Sequence, residues 1–190
     1  MNIPRLIVIA GKAGTGKTTL ALAIAQQLHI PYFDYDTLVQ PFLEAIETKY
    51  GRGGNGKYAF YHEWRNASYG TLWGVVKENL RLGNDVILSA PLTKEMQNPQ
   101  FPEVIKGIMQ VPFSLLVCYM APPLALHHAM LTERGSKRDE EVLSDEQKFS
   151  EVLSPEKPRF DGTWLLYLDS GDVSLNRDVV IRKVQTLDKE

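Results

Sequence analysis

Residues 6–19 read Leu-Ile-Val-Ile-Ala-Gly-Lys-Ala-Gly-Thr-Gly-Lys-Thr-Thr. Leu6 to Ala10 is an unbroken aliphatic run, as in a parallel strand buried on both faces. Gly11 to Thr18 then matches G-x-x-x-x-G-K-[ST] at every fixed position. Glycines there admit positive φ and let backbone N–H groups wrap a phosphate. Thr18 to Leu28 reads as a helix, with Leu20, Ile24 and Leu28 on one face. Its N-terminus adds partial positive charge at the same place. The stretch predicts a nucleotide phosphate site built from Gly11, Ala13, Gly14, Thr15, Gly16, Lys17, Thr18 and Thr19. Lys17 is expected to reach the β- and γ-phosphates, and the Thr18 hydroxyl to ligate Mg²⁺.

Working outward, Pro31 to Phe33 reads as a short second strand, ended by Asp34-Tyr35-Asp36. Thr37 to Lys49 reads as a helix. Gly51 to Gly56 is a glycine-rich break, and Tyr58 to Leu82 reads as one or two helices. Asp85 to Ser89 and Phe113 to Met120 read as buried strands three and four. The segment between them is a turn into a short helix or loop through Met96. A helix follows Pro122-Pro123 to about Glu133. Residues 134–158 are polar, Trp164 to Leu168 is a fifth strand, and a last helix starts near Val173 to Asn176. Strands alternating with helices predict an open parallel α/β sheet with helices on both faces.

The chain has 190 residues, a length that suits one domain. Its 21 Lys and Arg against 23 Asp and Glu leave a net charge of −2, which argues against non-specific nucleic-acid binding. A single cysteine, Cys118, excludes an internal disulfide and fits a cytoplasmic setting. No apolar run is long enough to span a bilayer, and the N-terminus reads straight into a strand without a signal-peptide cleavage site.

The motifs that accompany the phosphate loop narrow the class. A guanine-reading N-K-x-D and a D-x-x-G switch are absent, which argues against a GTPase. The third strand ends in Ser89 rather than in an Asp-Glu pair, which argues against an ATP-hydrolysing machine. Three further stretches, Asp34-Tyr35-Asp36, DVILSAPLTKEM at 85–96 and Arg134-Gly-Ser-Lys-Arg-Asp139, complete a pattern. It resembles the small P-loop kinases related to shikimate kinase and gluconate kinase, within the nucleoside-monophosphate-kinase-like group. That resemblance implies a P-loop NTPase fold: a three-layer α/β/α sandwich whose five-stranded parallel sheet has the order 2-3-1-4-5. It also implies a helical lid over about 134–158 and an acceptor-binding helical segment over about 37–82, within one domain of residues 1–190. It places the adenine near the Asp169 to Asp172 loop.

The same resemblance implies that Asp34 holds the Mg²⁺ shell through water and that Asp36 faces the acceptor hydroxyl as its base. Asp36 also reads as the cap of the helix that follows, a role that can coexist with the first. Arg134 and Arg138, four apart, are expected to clamp ATP phosphates, or to form part of a solvated charge run. Arg65 is expected to bind an acceptor carboxylate or phosphate, or to lay its stem on Trp64. Lys12 reads as a solvent-exposed lysine, and His127 as a core or surface residue.

The expected activity is transfer of the γ-phosphate of ATP, with Mg²⁺, to a small hydroxylated acceptor, by a monomer or homodimer without nucleic-acid or membrane partners. Two rivals stay open. One is a nucleoside or nucleotide kinase. The other is a regulatory ATP-binding protein with little turnover, favoured by the serine at position 89.

Overall fold

Six of the seven residues of the first strand, β1 (Arg5–Gly11), are buried. That is why it lies at the centre of a sheet, pairing with β3 (Val86–Ala90) on one side and β4 (Ser114–Met120) on the other. The computed structural model describes residues 3–51, 56–136, 139–154 and 156–187. β2 (Tyr32–Asp34) joins β3, and β5 (Leu165–Leu168) joins β4, so the order is β2-β3-β1-β4-β5 with every pair parallel. The expected sheet is present.

Alternation along β1 assigns the two faces. Leu6, Val8 and Ala10 point into a core shared with α3 (Gly56–Arg81) and α5 (Phe101–Met109). Ile7 and Ile9 point into a second core shared with α1 (Lys17–Leu28) and α9 (Val173–Val184). Cys118 on β4 lies in this second core, fully buried, and its thiol is pushed well above the usual range by that burial. Among the described residues, no helix is long and apolar enough to cross a membrane.

Several boundaries differ from expectation for local reasons. The helix after β2, α2 (Tyr35–Tyr50), begins two residues early because Asp34, not Asp36, supplies its cap. Helix α5 was not anticipated. Its fully buried stripe Phe101, Ile105 and Met109 recurs every four residues, and each such side chain contributes about 1.5–3 kcal/mol of burial. Among its described residues, the polar stretch after α6 (Leu124–Arg134) forms α7 (Glu140–Leu143) and α8 (Glu146–Leu153). Phe149 and Leu153 of α8 bury themselves with Leu131 of α6. Thr93–Met96 forms a short helix, α4.

Candidate active site

The loop between β1 and α1 turns on its glycines. A Cβ on Gly11, at φ +147°, would stand 2.6 Å from the Met120 carbonyl oxygen of the neighbouring strand. Gly16 precedes α1 with φ +84°, a left-handed conformation that leaves the first N–H groups of the helix facing the loop. The Lys12 carbonyl accepts from the Lys17 ammonium at 2.7 Å and from the Thr15 hydroxyl at 3.0 Å. Thr18 and Thr19 stand exposed on the first turn of α1.

The register of the sheet pairs Asp34 with Ser89 at the same end of β2 and β3. Ser89, 1% exposed, donates to Asp34 Oδ2 at 2.6 Å, as a buried partner of that carboxylate. The Tyr32 hydroxyl also reaches Asp34 Oδ2, at 3.1 Å, and bonds the Thr18 side chain. Oδ1 accepts from the Thr37 backbone and hydroxyl at 2.9 and 3.1 Å. Burial alone would raise the Asp34 pKa. The hydrogen bonds from Ser89, Thr37 and Tyr32 outweigh it and hold the group below its ordinary range, so it is charged at neutral pH. Burial pushes the Tyr32 hydroxyl up to about 12. A chain of hydroxyls thus connects an ionised carboxylate on β2 to the phosphate loop. These donors fit Mg²⁺, which takes only one or two protein ligands beside a nucleotide's phosphates.

Asp36 lies one turn-start beyond, exposed on α2. It and the Arg65 guanidinium act in opposite senses on the Tyr35 hydroxyl, which bonds Ser68. Both residues expected to meet the acceptor thus lie within electrostatic reach of the Tyr35 hydroxyl. The Arg65 guanidinium sits 4.2 Å from the centroid of Tyr69, one helical turn on. Nη2 donates to Glu95 Oε2 at 2.7 Å. Tyr69 accepts from the Leu92 backbone at 3.3 Å, and Leu92 is held at φ +49°, unusual for a branched residue.

On the other side of the loop, Lys12 is not the solvent-exposed lysine expected. Its ammonium, 14% exposed, donates to the Val152 carbonyl of α8 at 2.6 Å. His127 Nε2 bonds the Ala13 carbonyl at 2.8 Å. A carbonyl only accepts, so Nε2 carries the proton. Burial first, then the nearby Lys17, Lys12 and Arg134, lower the His127 pKa against the pull of the Ala13 carbonyl, leaving it neutral. α6 ends at Arg134, with Gly135 as a left-handed cap. Arg134 grips Asp139 through Nε at 2.9 Å and through Nη2. Arg138 lies outside the described residues. At the expected adenine position, Asp172 caps α9 by accepting from Ser174 and Leu175.

A family profile described as "AAA domain" matches residues 6–154, from β1 through the second helix of the polar stretch. The chain belongs to that family. Among curated proteins, shikimate kinase of Syntrophus aciditrophicus (strain SB) is 30% identical over 108 residues. The match covers 56% of this chain and spans about half (49%) of that relative. Two solved structures share the fold at 16% identity, both with a TM-score of 0.63. They are a sugar kinase from Janibacter sp. HTCC2649, over 96% of this chain and 95% of that one, and a gluconokinase from Sinorhizobium meliloti 1021, over 100% and 96%.

In this AAA-domain family member, the residues that sequence reasoning passed over act on others. Tyr32 and Glu95 carry no motif, and their roles exist only once β2, β3 and α3 are packed. His127 carries a faint signal: it lies one turn into α6 on the apolar side, with Leu131 four residues on. His127→Phe is expected to weaken ATP binding about three- to tenfold, the worth of one positioning hydrogen bond. Titration with ATP measures it, and an unchanged affinity would leave His127 a packing residue.

Proposed function

We propose that this chain is an ATP-dependent kinase that passes the γ-phosphate to a hydroxyl of a small acceptor. The observation that carries the reading is the division of labour between two carboxylates two residues apart. Asp34 is tied through Tyr32 to Thr18 of the phosphate loop, while Asp36 stands exposed on the first turn of α2, within electrostatic reach of the Tyr35 hydroxyl. Phosphoryl transfer asks for that arrangement: charge compensation at the triphosphate and a proton acceptor at the incoming hydroxyl. The kinase names of the partial relative and of the structural neighbours support the same reading.

In this mechanism the backbone N–H groups of Gly11 to Thr19 and the helix N-terminus hold the phosphates. Lys17 exchanges its bond to the Lys12 carbonyl for the β- and γ-oxygens. Thr18 directly, and Asp34 through water, would hold Mg²⁺, which supplies charge neutralisation to the phosphates when bound. Asp36 takes the proton of the acceptor hydroxyl as its oxygen attacks phosphorus and ADP leaves. Residues 134–158 act as the lid, bringing Arg134 and Arg138 onto the transferring group. Arg134 must first part from Asp139. The partners in this reading are ATP and the acceptor, in the cytoplasm, for a monomer or homodimer of one domain.

The test is ATP consumption with Mg²⁺ across sugars, polyols, sugar acids, nucleosides and nucleoside monophosphates, with Lys17→Ala as control. Acceptor-stimulated turnover that the control lacks supports a kinase. Tight ATP binding with no stimulation across the panel would favour a regulatory protein.

A further inference from the structure

Arg65 is the cation the sequence offers to an anionic acceptor, but its charge is already answered. Its bond to Glu95 is 2.7 Å long, and the two side chains are only 19% and 20% exposed. One face of the guanidinium is covered by Tyr69. Glu95 is held at this spot by α4, which starts directly after the strained Leu92, whose N–H is fixed by Tyr69. Asp36 adds a second carboxylate beside Tyr35. Lys94, beside Glu95 in the chain, is exposed and donates to His62 Nε2 at 2.9 Å.

An acceptor carboxylate or phosphate at Arg65 would have to displace Glu95 or share the guanidinium with it. Displacement leaves a largely desolvated carboxylate without its partner, and sharing sets two anions side by side. An uncharged acceptor meets neither cost. Its hydroxyls donate to Asp36 and Glu95 and accept from the Arg65 N–H groups that Glu95 leaves over. We infer that the acceptor is an uncharged polyhydroxy compound, a sugar, polyol or nucleoside, and that Glu95 is the residue that rejects its anionic analogues. The inference rests on the kinase reading and narrows it. Glu95 works through Arg65, so it is a specificity residue by repulsion rather than by contact alone.

Matched acceptor pairs test it: a hexose and its aldonic acid, a cyclic polyol and its ring carboxylic acid, a nucleoside and its monophosphate. In the unaltered protein, kcat/KM is expected to favour the neutral member of the productive pair by about tenfold or more. Glu95→Gln frees Arg65 and should move that ratio about tenfold towards the anion, chiefly through KM, with ATP affinity unchanged. The unaltered protein decides the acceptor class even if the variant fails to fold. Preference for the anionic member overturns the inference while leaving a kinase. A ratio unmoved in a Glu95→Gln protein that still binds ATP overturns the role of Glu95. Turnover with no member of any pair removes the kinase reading, and the inference with it.

Discussion

Asp36→Asn lowers acceptor-dependent ATP consumption by about 10²–10⁴-fold, the usual worth of a general base, and leaves ATP affinity within about twofold. The substitution keeps the size and shape of the side chain and removes its ability to take a proton. Helix α2 does not depend on it, because the cap is made by Asp34. Asp36 is exposed in the first turn, within electrostatic reach of the Tyr35 hydroxyl. Steady-state kinetics and an ATP titration on the same preparation separate the two effects. Turnover within tenfold of the unaltered protein would put the base elsewhere, and lost ATP binding would make Asp36 a structural residue.

Asp34→Ala acts on stability and turnover together. It removes the cap of α2, worth about 1 kcal/mol, and takes away the acceptor shared by the Ser89 and Tyr32 hydroxyls, which then have each other at 3.0 Å, a further ~1–3 kcal/mol. A loss of about 2–4 kcal/mol is a large part of an ordinary domain's 5–15 kcal/mol, and denaturant unfolding reads it. Asp34→Asn recovers much of this, since Asn caps nearly as well, but Mg²⁺-dependent turnover stays low because the charge is gone. The two variants therefore separate the carboxylate's structural and electrostatic roles. Equal stability loss in both would mean that charge, not capping, holds β2 to α2.

The same residue predicts a pH dependence. Its native pKa lies below the ordinary 3.8, so the unfolded state binds its proton more readily. The stabilisation is complete above that ordinary value and is lost as pH falls through the lower native one. Unfolding free energy measured from neutral pH into that acid range should fall more steeply in the unaltered protein than in the Asp34→Asn variant.

The phosphate loop and the alternation of strands were legible because they rest on local chemistry: glycines where φ is positive, and aliphatic runs where both faces are buried. The two carboxylates at the end of β2 and the start of α2 were legible as a pair, but not which one caps the helix. Ser89 looked like a missing charge because a strand read singly hides its neighbour. The register places Asp34 beside it and supplies the charge from β2. Glu95 was invisible for the same reason, since its bond to Arg65 spans thirty residues. Lys12 read as solvent-exposed because the helix that covers it lies 140 residues on and was itself read as a polar stretch.

The lone thiol of Cys118 gives this protein an internal clock. It sits in the middle of the sheet, out of reach of any reagent until β4 separates from its neighbours. Its rate of modification by an aromatic disulfide therefore counts openings of the central sheet, one site per chain and without a background. Any ligand that binds only the closed form slows that count by the factor 1 + [L]/Kd. Nucleotides and candidate acceptors are thus rankable by chemical protection alone, before a single turnover is observed.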